Sequence, residues 1–342
     1  MSELRKDPIS GHWVVISPDQ EAAVVLTTDV RFITPQETCP FCPGNEIGPV
    51  HEILAYPNHL PENNGAPWAL RVIPNRLPIL QIERSLEREG LGMYDRISGF
   101  GAHEIIIESP HHDLLLHDFP NSQLELVLSA WKERLNDLKN DLRMRYLSIF
   151  RNQGRRSGAR LSHPYSQLIA TPAIPAGVRQ ELAGARQYFE YKDRCGYCDL
   201  IDQECEDKVR LVYQNRGFIA MCPFASRNAF EVWILPRVHS HDYGTISPDQ
   251  ILDLADALLA VNRVLAIALS EPDINVILKS APIPKPRRDR WLTLEEDYHW
   301  HLEVIPRITR PTGYEWATGM FVNPTPPEEA ADYLRDVQAN GR

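Results

Sequence analysis

Two spacings of apolar residues divide this chain. Short apolar or alternating runs predict strands at His12 to Ile16, Arg71 to Arg76, Ala102 to Glu108 and Tyr146 to Arg151. Ser17-Pro18 and Ser109-Pro110 close two of them. A spacing near 3.6 predicts a long amphipathic helix over 121–145, carrying Leu124, Val127, Leu128, Trp131, Leu135, Leu138 and Leu142. Further strands are expected at Arg210 to Arg216, Ala229 to Pro236 and Asn275 to Lys279. Ser247, Pro248 and Gln250 read as a cap, a first-turn proline and a capping-box partner, opening a helix to about Leu269. A last helix is expected from about Pro327 to Val337.

The order repeats. Cys39 and Cys42, then Asn75-Arg76, a strand ending near His112, a long helix, a strand and His163 are followed by a second set. That set is Cys195 and Cys198, Asn215-Arg216, a strand before His239, a helix, a strand and His299. An internal duplication into residues 1–185 and 186–342 follows. Successive strands with one long helix per half indicate an α+β architecture rather than a doubly wound sheet.

The stretch from Asn152 to Gln167 concentrates the polar chemistry. A basic loop with Gly154 and Gly158 leads into His163-Pro-Tyr165-Ser-Gln167, and alternation over a strand at 161–170 would set His163, Tyr165 and Gln167 on one face. A glycine loop beside such a row can meet a phosphate chain at close range. A plain half-exposed strand is the competing reading. The run at His299, His301 and Glu303 has the same layout.

Paired Cys-x-x-Cys and His residues change the picture most. Cys39, Cys42, His112 and His163 form one tetrahedral set, and Cys195, Cys198, His239 and His299 form a second in the same order. Two thiolates and two imidazoles suit a structural zinc, so two zinc ions per chain are expected. A redox dithiol is set aside because neither pair is expected to open a helix after a strand.

The bulk composition excludes little else. A net charge of −10 argues against a nucleic-acid partner, while leaving room for a small anion in a local basic pocket. The N-terminus has no apolar signal core and no run approaches a membrane span, so a cytoplasmic protein is expected.

These residues together resemble the galactose-1-phosphate uridylyltransferase family of the histidine-triad superfamily, and within it the two-zinc ADP-glucose phosphorylase-like branch. The resemblance is carried by Arg5-Lys-Asp-Pro8, Trp13 to Pro18, the first cysteine pair, Asn75, Ser109-Pro-His-His112, Asn152-x-Gly154, His163-Pro-x-Ser-Gln167, His299-x-His301 and Gly313-Tyr314-Glu315. It implies two tandem histidine-triad-like half-domains forming an extended antiparallel sheet with packed helices, and a homodimer. It implies a nucleotidyltransferase of carbohydrate metabolism, moving a nucleoside monophosphate between a nucleotide sugar and a phosphate acceptor. In that family a histidine attacks the α-phosphorus and carries the nucleotide. By position, Asn75, Asn152, Ser166 and Gln167 would contact the nucleotide. Gly158, Ala159 and Arg160 would lie along the phosphates, and Tyr314 and Glu315 would meet the sugar.

One departure reshapes the expectation. The nucleophile position holds Tyr165, and the positions of a phosphate-clamping arginine pair hold Gln20 and Ala23. Arg155, Arg156 and Arg160 in the loop are candidate replacements. Three readings follow: Tyr165 as nucleophile, His301 in its place, or a divergent protein that binds a nucleotide or sugar phosphate without turnover. Lys285 to Arg290 reads as a solvated basic turn and Glu181 as a surface helix residue; His103, His111, His117 and His241 receive no partner.

Overall fold

The computed structural model describes residues 1–19, 33–46, 51–58, 66–284 and 292–340. In the first half the strands are β1 (Glu3–Lys6), β2 (Trp13–Ile16), β3 (Leu54–Pro57), β4 (Trp68–Pro74), β5 (Arg88–Leu91), β6 (Tyr94–Ile97) and β7 (Ala102–Ile107). Helix α1 (Asn121–Lys139), strands β8 (Tyr146–Gln153) and β9 (Tyr165–Thr171) and helix α2 (Ala176–Lys192) follow. The second half has α3 (Gly196–Asp207), β10 (Leu211–Gln214), β11 (Phe218–Met221), β12 (Val232–Pro236), α4 (Pro248–Leu269) and β13 (Ile274–Lys279). It ends with α5 (Leu294–Asp297), β14 (His301–Pro306), α6 (Gly313–Thr318), β15 (Phe321–Asn323) and α7 (Pro327–Asn340).

Ten strands form one sheet in the order β10-β11-β12-β14-β13-β8-β9-β7-β4-β3. Every neighbouring pair in it is antiparallel. Read outward from the centre, β8, β9, β7, β4 and β3 are matched by β13, β14, β12, β11 and β10. The duplication is thus written in the sheet, and β8 and β13 join the halves at a seam with Asn152 opposite Asn275. The division at 185/186 falls inside α2, so a helix and not a linker passes between the halves.

One face of the sheet is covered. Ile149, Leu168, Val276, Leu302 and Ile234 pack against Leu124, Leu128 and Trp131 of α1 and Leu254, Leu258 and Leu265 of α4. Burying each large side chain contributes about 2–3 kcal/mol. The opposite face divides. In the second half a smaller core of Leu182, Tyr197, Ile201, Ile219 and Trp233 closes it, while in the first half Phe150, Asn152, Gln167 and Ile169 remain half-buried. No helix among the described residues is long and apolar enough to cross a membrane.

Several elements differ from their sequence expectation. The helix expected over 121–145 stops at Lys139; Asn140 to Leu142 turn away and Leu142 is exposed. The long second helix matches, with both hydrogen bonds of the Ser247–Gln250 capping box present. Cys195 caps α3, so the second cysteine pair does open a helix, though one that follows α2 and not a strand. Residues 161–164 are irregular, with a bend at Ser162 and His163, and the strand starts only at Tyr165. Gln20, Ala23 and the basic turn at Lys285 lie outside the described residues.

Candidate active site and metal clusters

Two Cys/His clusters form, one in each half. The ligand atoms of Cys39, Cys42, His112 and His163 all lie within 4.8 Å of one another, as do those of Cys195, Cys198, His239 and His299. Cys42 Sγ is 3.2 Å from His112 Nδ1 and 3.5 Å from His163 Nδ1; Cys198 Sγ is 3.4 Å from His239 Nδ1 and 3.7 Å from His299 Nδ1. Each imidazole donates its other nitrogen to a main-chain carbonyl: His112 to Thr34 (2.6 Å), His163 to Ser109 (2.8 Å), His239 to Glu295 (2.9 Å) and His299 to Pro236 (2.9 Å). That fixes the tautomer and turns four Nδ1 lone pairs inward, as metal ligation requires. Both clusters can hold a metal ion.

The first cluster abuts β9. His163 leads through Pro164 into β9, and Phe41, between the two cysteines, meets Tyr165 edge-on with ring centroids 5.3 Å apart. Tyr165 is 5% exposed and packs with Trp68, Ile105, Ile107 and Leu161. Its hydroxyl oxygen accepts from the Arg160 N–H at 3.2 Å, and burial raises its pKa against the pull of that loop.

The loop from Asn152 to Leu161 is held from the other half. The Arg156 N–H donates to Asp273 Oδ2 at 2.6 Å, and Asn275 Nδ2 donates to Asn152 Oδ1 (2.8 Å) and to the Ser157 carbonyl (2.9 Å). Gly154 has φ +86°, and a Cβ there would fall 1.8 Å from Asp273 Oδ1, so only glycine fits. Gly158, with φ +93°, is also left-handed. The Ala159 N–H is used by the Gly154 carbonyl at 3.1 Å. Sequence reasoning named Asn152, Gly158, Ala159 and Arg160 here but missed Asp273 and Asn275, which lie more than 100 residues away and become neighbours only through the β8–β13 seam.

Two cavities adjoin the residues that pack on Tyr165, which itself lines neither. One of ≈ 690 Å³ is lined in part by Asn152, Gly154, Arg156, Leu161, His163 and Asp273. The other, ≈ 230 Å³, is lined in part by Phe41, Arg71, Asn75 and Ile107. Tyr165 packs on Leu161 of the first and on Phe41 and Ile107 of the second. Gln167 lies on the same strand face, and its Oε1 accepts from His103 Nε2 at 3.0 Å. Asn75 Nδ2 lies 2.9 Å from the same ring nitrogen. His103, left without a partner by the sequence, therefore sits between two predicted nucleotide contacts. Its place on β7 opposite Ile169, next to Gln167, was the signal available in the alternation.

Ser166 does not join them. Neighbouring residues on a strand face opposite ways, so Ser166 turns toward α1, where Trp131 Nε1–H donates to its hydroxyl at 2.8 Å. Ser166→Ala is expected to lower stability by about 1–2 kcal/mol, because a buried indole N–H loses its acceptor. Nucleotide-sugar affinity should not change, and calorimetry on the variant checks both. Tyr314 and Glu315 also stand apart, on α6. The Tyr314 hydroxyl meets Met320 Sδ at 3.2 Å, and Glu315 closes a capping box on its own helix with Thr312.

The second-half counterpart of the site is closed. His301 donates Nδ1–H to the His299 carbonyl at 3.1 Å and lies between the rings of Tyr197 (5.4 Å) and Trp233 (5.0 Å). The cavity it lines has ≈ 20 Å³, room for one water and not for a nucleotide. Burial brings His301 down to about 4. Glu303 would be raised by burial, but Arg227 and Lys279 outweigh that and hold it at about 2. Glu181 is not the surface residue expected: it is an internal partner of Lys279 at 2.6 Å.

Residues 70–175 match the family described as "Galactose-1-phosphate uridyl transferase, N-terminal domain". The chain is 33% identical to an ADP-glucose phosphorylase of Arabidopsis thaliana over 345 residues, 98% of this chain and 93% of the relative. It is 27% identical to a galactose-1-phosphate uridylyltransferase of Thermotoga maritima, over 99% of each. The crystal structure of an Arabidopsis thaliana ADP-glucose phosphorylase with bound ADP-glucose has a TM-score of 0.82 at 31% identity, covering 98% of this chain and 99% of that one. With near-complete coverage and a shared fold, this chain belongs to the galactose-1-phosphate uridylyltransferase family.

Proposed function

We propose that this chain is a nucleotidyltransferase that moves a nucleoside monophosphate between a nucleotide sugar and a phosphate acceptor. The observation that carries this reading is the convergence, on the open first-half face, of the strand that follows the first Cys/His cluster, the loop from Asn152 to Arg160, and the carboxamides of Asn75 and Gln167. The two cavities give a nucleotide sugar space that the second half lacks. Two zinc ions per chain serve structure: the first, held by Cys39, Cys42, His112 and His163, fixes the strand that carries Tyr165. The chain works as a homodimer. Among the described residues Tyr314 and Glu315 hydrogen-bond none of the first-half site, and in this reading they reach the sugar across the subunit junction.

In the first step the Tyr165 oxygen attacks the α-phosphorus, its proton passes to solvent, and the bond to the departing sugar phosphate breaks. The acceptor phosphate then attacks the phosphotyrosyl ester and the phenol leaves. Arg155, Arg156 and Arg160 supply the positive field that the missing clamp would have given.

One observation favours a second reading, a protein that binds without turnover. Among the described residues the Tyr165 hydroxyl meets an amide N–H and no base. Incubation with radiolabelled UDP-glucose and ADP-glucose, followed by peptide mapping, separates the two. Label on Tyr165 is the expected result. Saturable binding with no label leaves the binding reading, and label on His301 moves the chemistry to the other half.

A further inference from the structure

We propose that His103 is a positioning residue that aims the Gln167 carboxamide at the ligand; the proposal rests on the nucleotide-sugar reading above. A glutamine amide has two nearly isosteric orientations, one presenting NH2 and the other presenting a carbonyl oxygen. Only the first can meet a phosphate oxygen or a base carbonyl. The choice is made by what grips the other end, and here that group is His103.

The grip is specific. The Ile79 N–H lies 3.3 Å from His103 Nδ1, so Nδ1 accepts and the ring proton sits on Nε2. Nε2 then donates to Gln167 Oε1 at 3.0 Å. With its oxygen engaged, Gln167 turns its NH2 outward, and among the described residues that NH2 has no partner. Burial holds the imidazole below its ordinary pKa, which keeps it neutral and able to accept from Ile79. Asn75 lies beside it: its Oδ1 accepts from the Leu77 N–H at 3.0 Å, and its Nδ2 is 2.9 Å from Nε2 and 3.4 Å from Nδ1, a contact with the ring that is not a hydrogen bond to the protonated Nε2. Gln167 is therefore the carboxamide that His103 orients. His103 itself touches no reacting atom in this arrangement.

A double-mutant cycle tests the proposal, with ADP-glucose and UDP-glucose binding read by titration calorimetry on the full chain. His103→Leu should raise the dissociation constant about 10-fold, the worth of one well-made hydrogen bond. His103→Gln, whose amide nitrogen falls near the place of Nε2, should stay within about threefold of wild type. On a Gln167→Ala background His103→Leu should add nothing further, because it acts through the residue already removed. Additive losses, or equal losses for the leucine and glutamine variants, would show a merely structural role and overturn the proposal. If His103→Leu fails to fold, the glutamine variant set against Gln167→Ala still decides: the proposal falls if it loses as much affinity as Gln167→Ala. Failure of the wild-type chain to bind either nucleotide sugar would overturn the reading beneath it as well.

Discussion

Replacing Cys42 with alanine is expected to release one of the two zinc ions proposed per chain and to lower the melting temperature by roughly 10 °C. Cys42 is buried and its sulfur approaches both histidine ligands of its cluster. Three remaining ligands leave a tetrahedral ion open, and a structural zinc contributes on the order of 10 kcal/mol to the fold it closes, less where the surrounding core persists. For a chain of 342 residues each kcal/mol moves the midpoint by about 1–2 °C. The functional cost should exceed the thermal one. Without the ion His163 is no longer anchored, and the strand entering Tyr165 and Gln167 loses its fixed start. Cys198→Ala should release the other ion with a similar thermal loss, yet leave nucleotide-sugar affinity within roughly twofold, because its cluster braces the closed half. Elemental analysis, melting curves and binding on the three proteins check this. Fewer than two zincs in wild type, or equal loss of binding in both variants, would defeat it.

Tyr165→His should raise nucleotidyl transfer by about 100-fold or more. At pH 7 a phenol with an ordinary pKa near 10 is ionised in roughly one molecule per thousand, while an imidazole near 6.5 is mostly neutral with a free lone pair. The greater intrinsic reactivity of the phenolate returns part of that factor. The smaller ring also fits beneath Phe41 and Leu161 without pushing either aside. Single-turnover assays with ADP-glucose and UDP-glucose, and acid-labile label on the new histidine, report the gain. A variant as slow as wild type would place the deficit in the arginines absent from positions 20 and 23.

Much of this architecture was legible in the order of residues because it rests on local rules. Period-two runs, the Ser247 capping box and the two Cys-x-x-Cys pairs are each written within a few residues, and their repetition revealed the doubled sheet. What stayed hidden is what only the tertiary fold creates. Glu181 looked like a solvated helix position until Lys279 arrived from β13. Asp273 and Asn275 looked like ordinary strand-end residues, and nothing near them in sequence names the loop they hold. His103 had no ligand-like spacing, since its partners come from β4 and β9. Short strands such as β3 at the sheet edge and β11 one place in from the other edge span four residues each, too few to show a period. His163 was assigned to a strand because alternation runs through it, but Pro164 and the cluster hold it in a bend.

The seam between β8 and β13 makes the two copies unequal tenants of one building. The second half, whose cavity at His301 has room for one water, supplies the carboxylate and amide that brace the other half's loop. Severing the chain between copies would bare a long hydrogen-bonding strand edge, prone to sticking to its neighbours. It would also leave the surviving pocket without its brackets. The idle copy is therefore retained as masonry, and neither copy is a portable module.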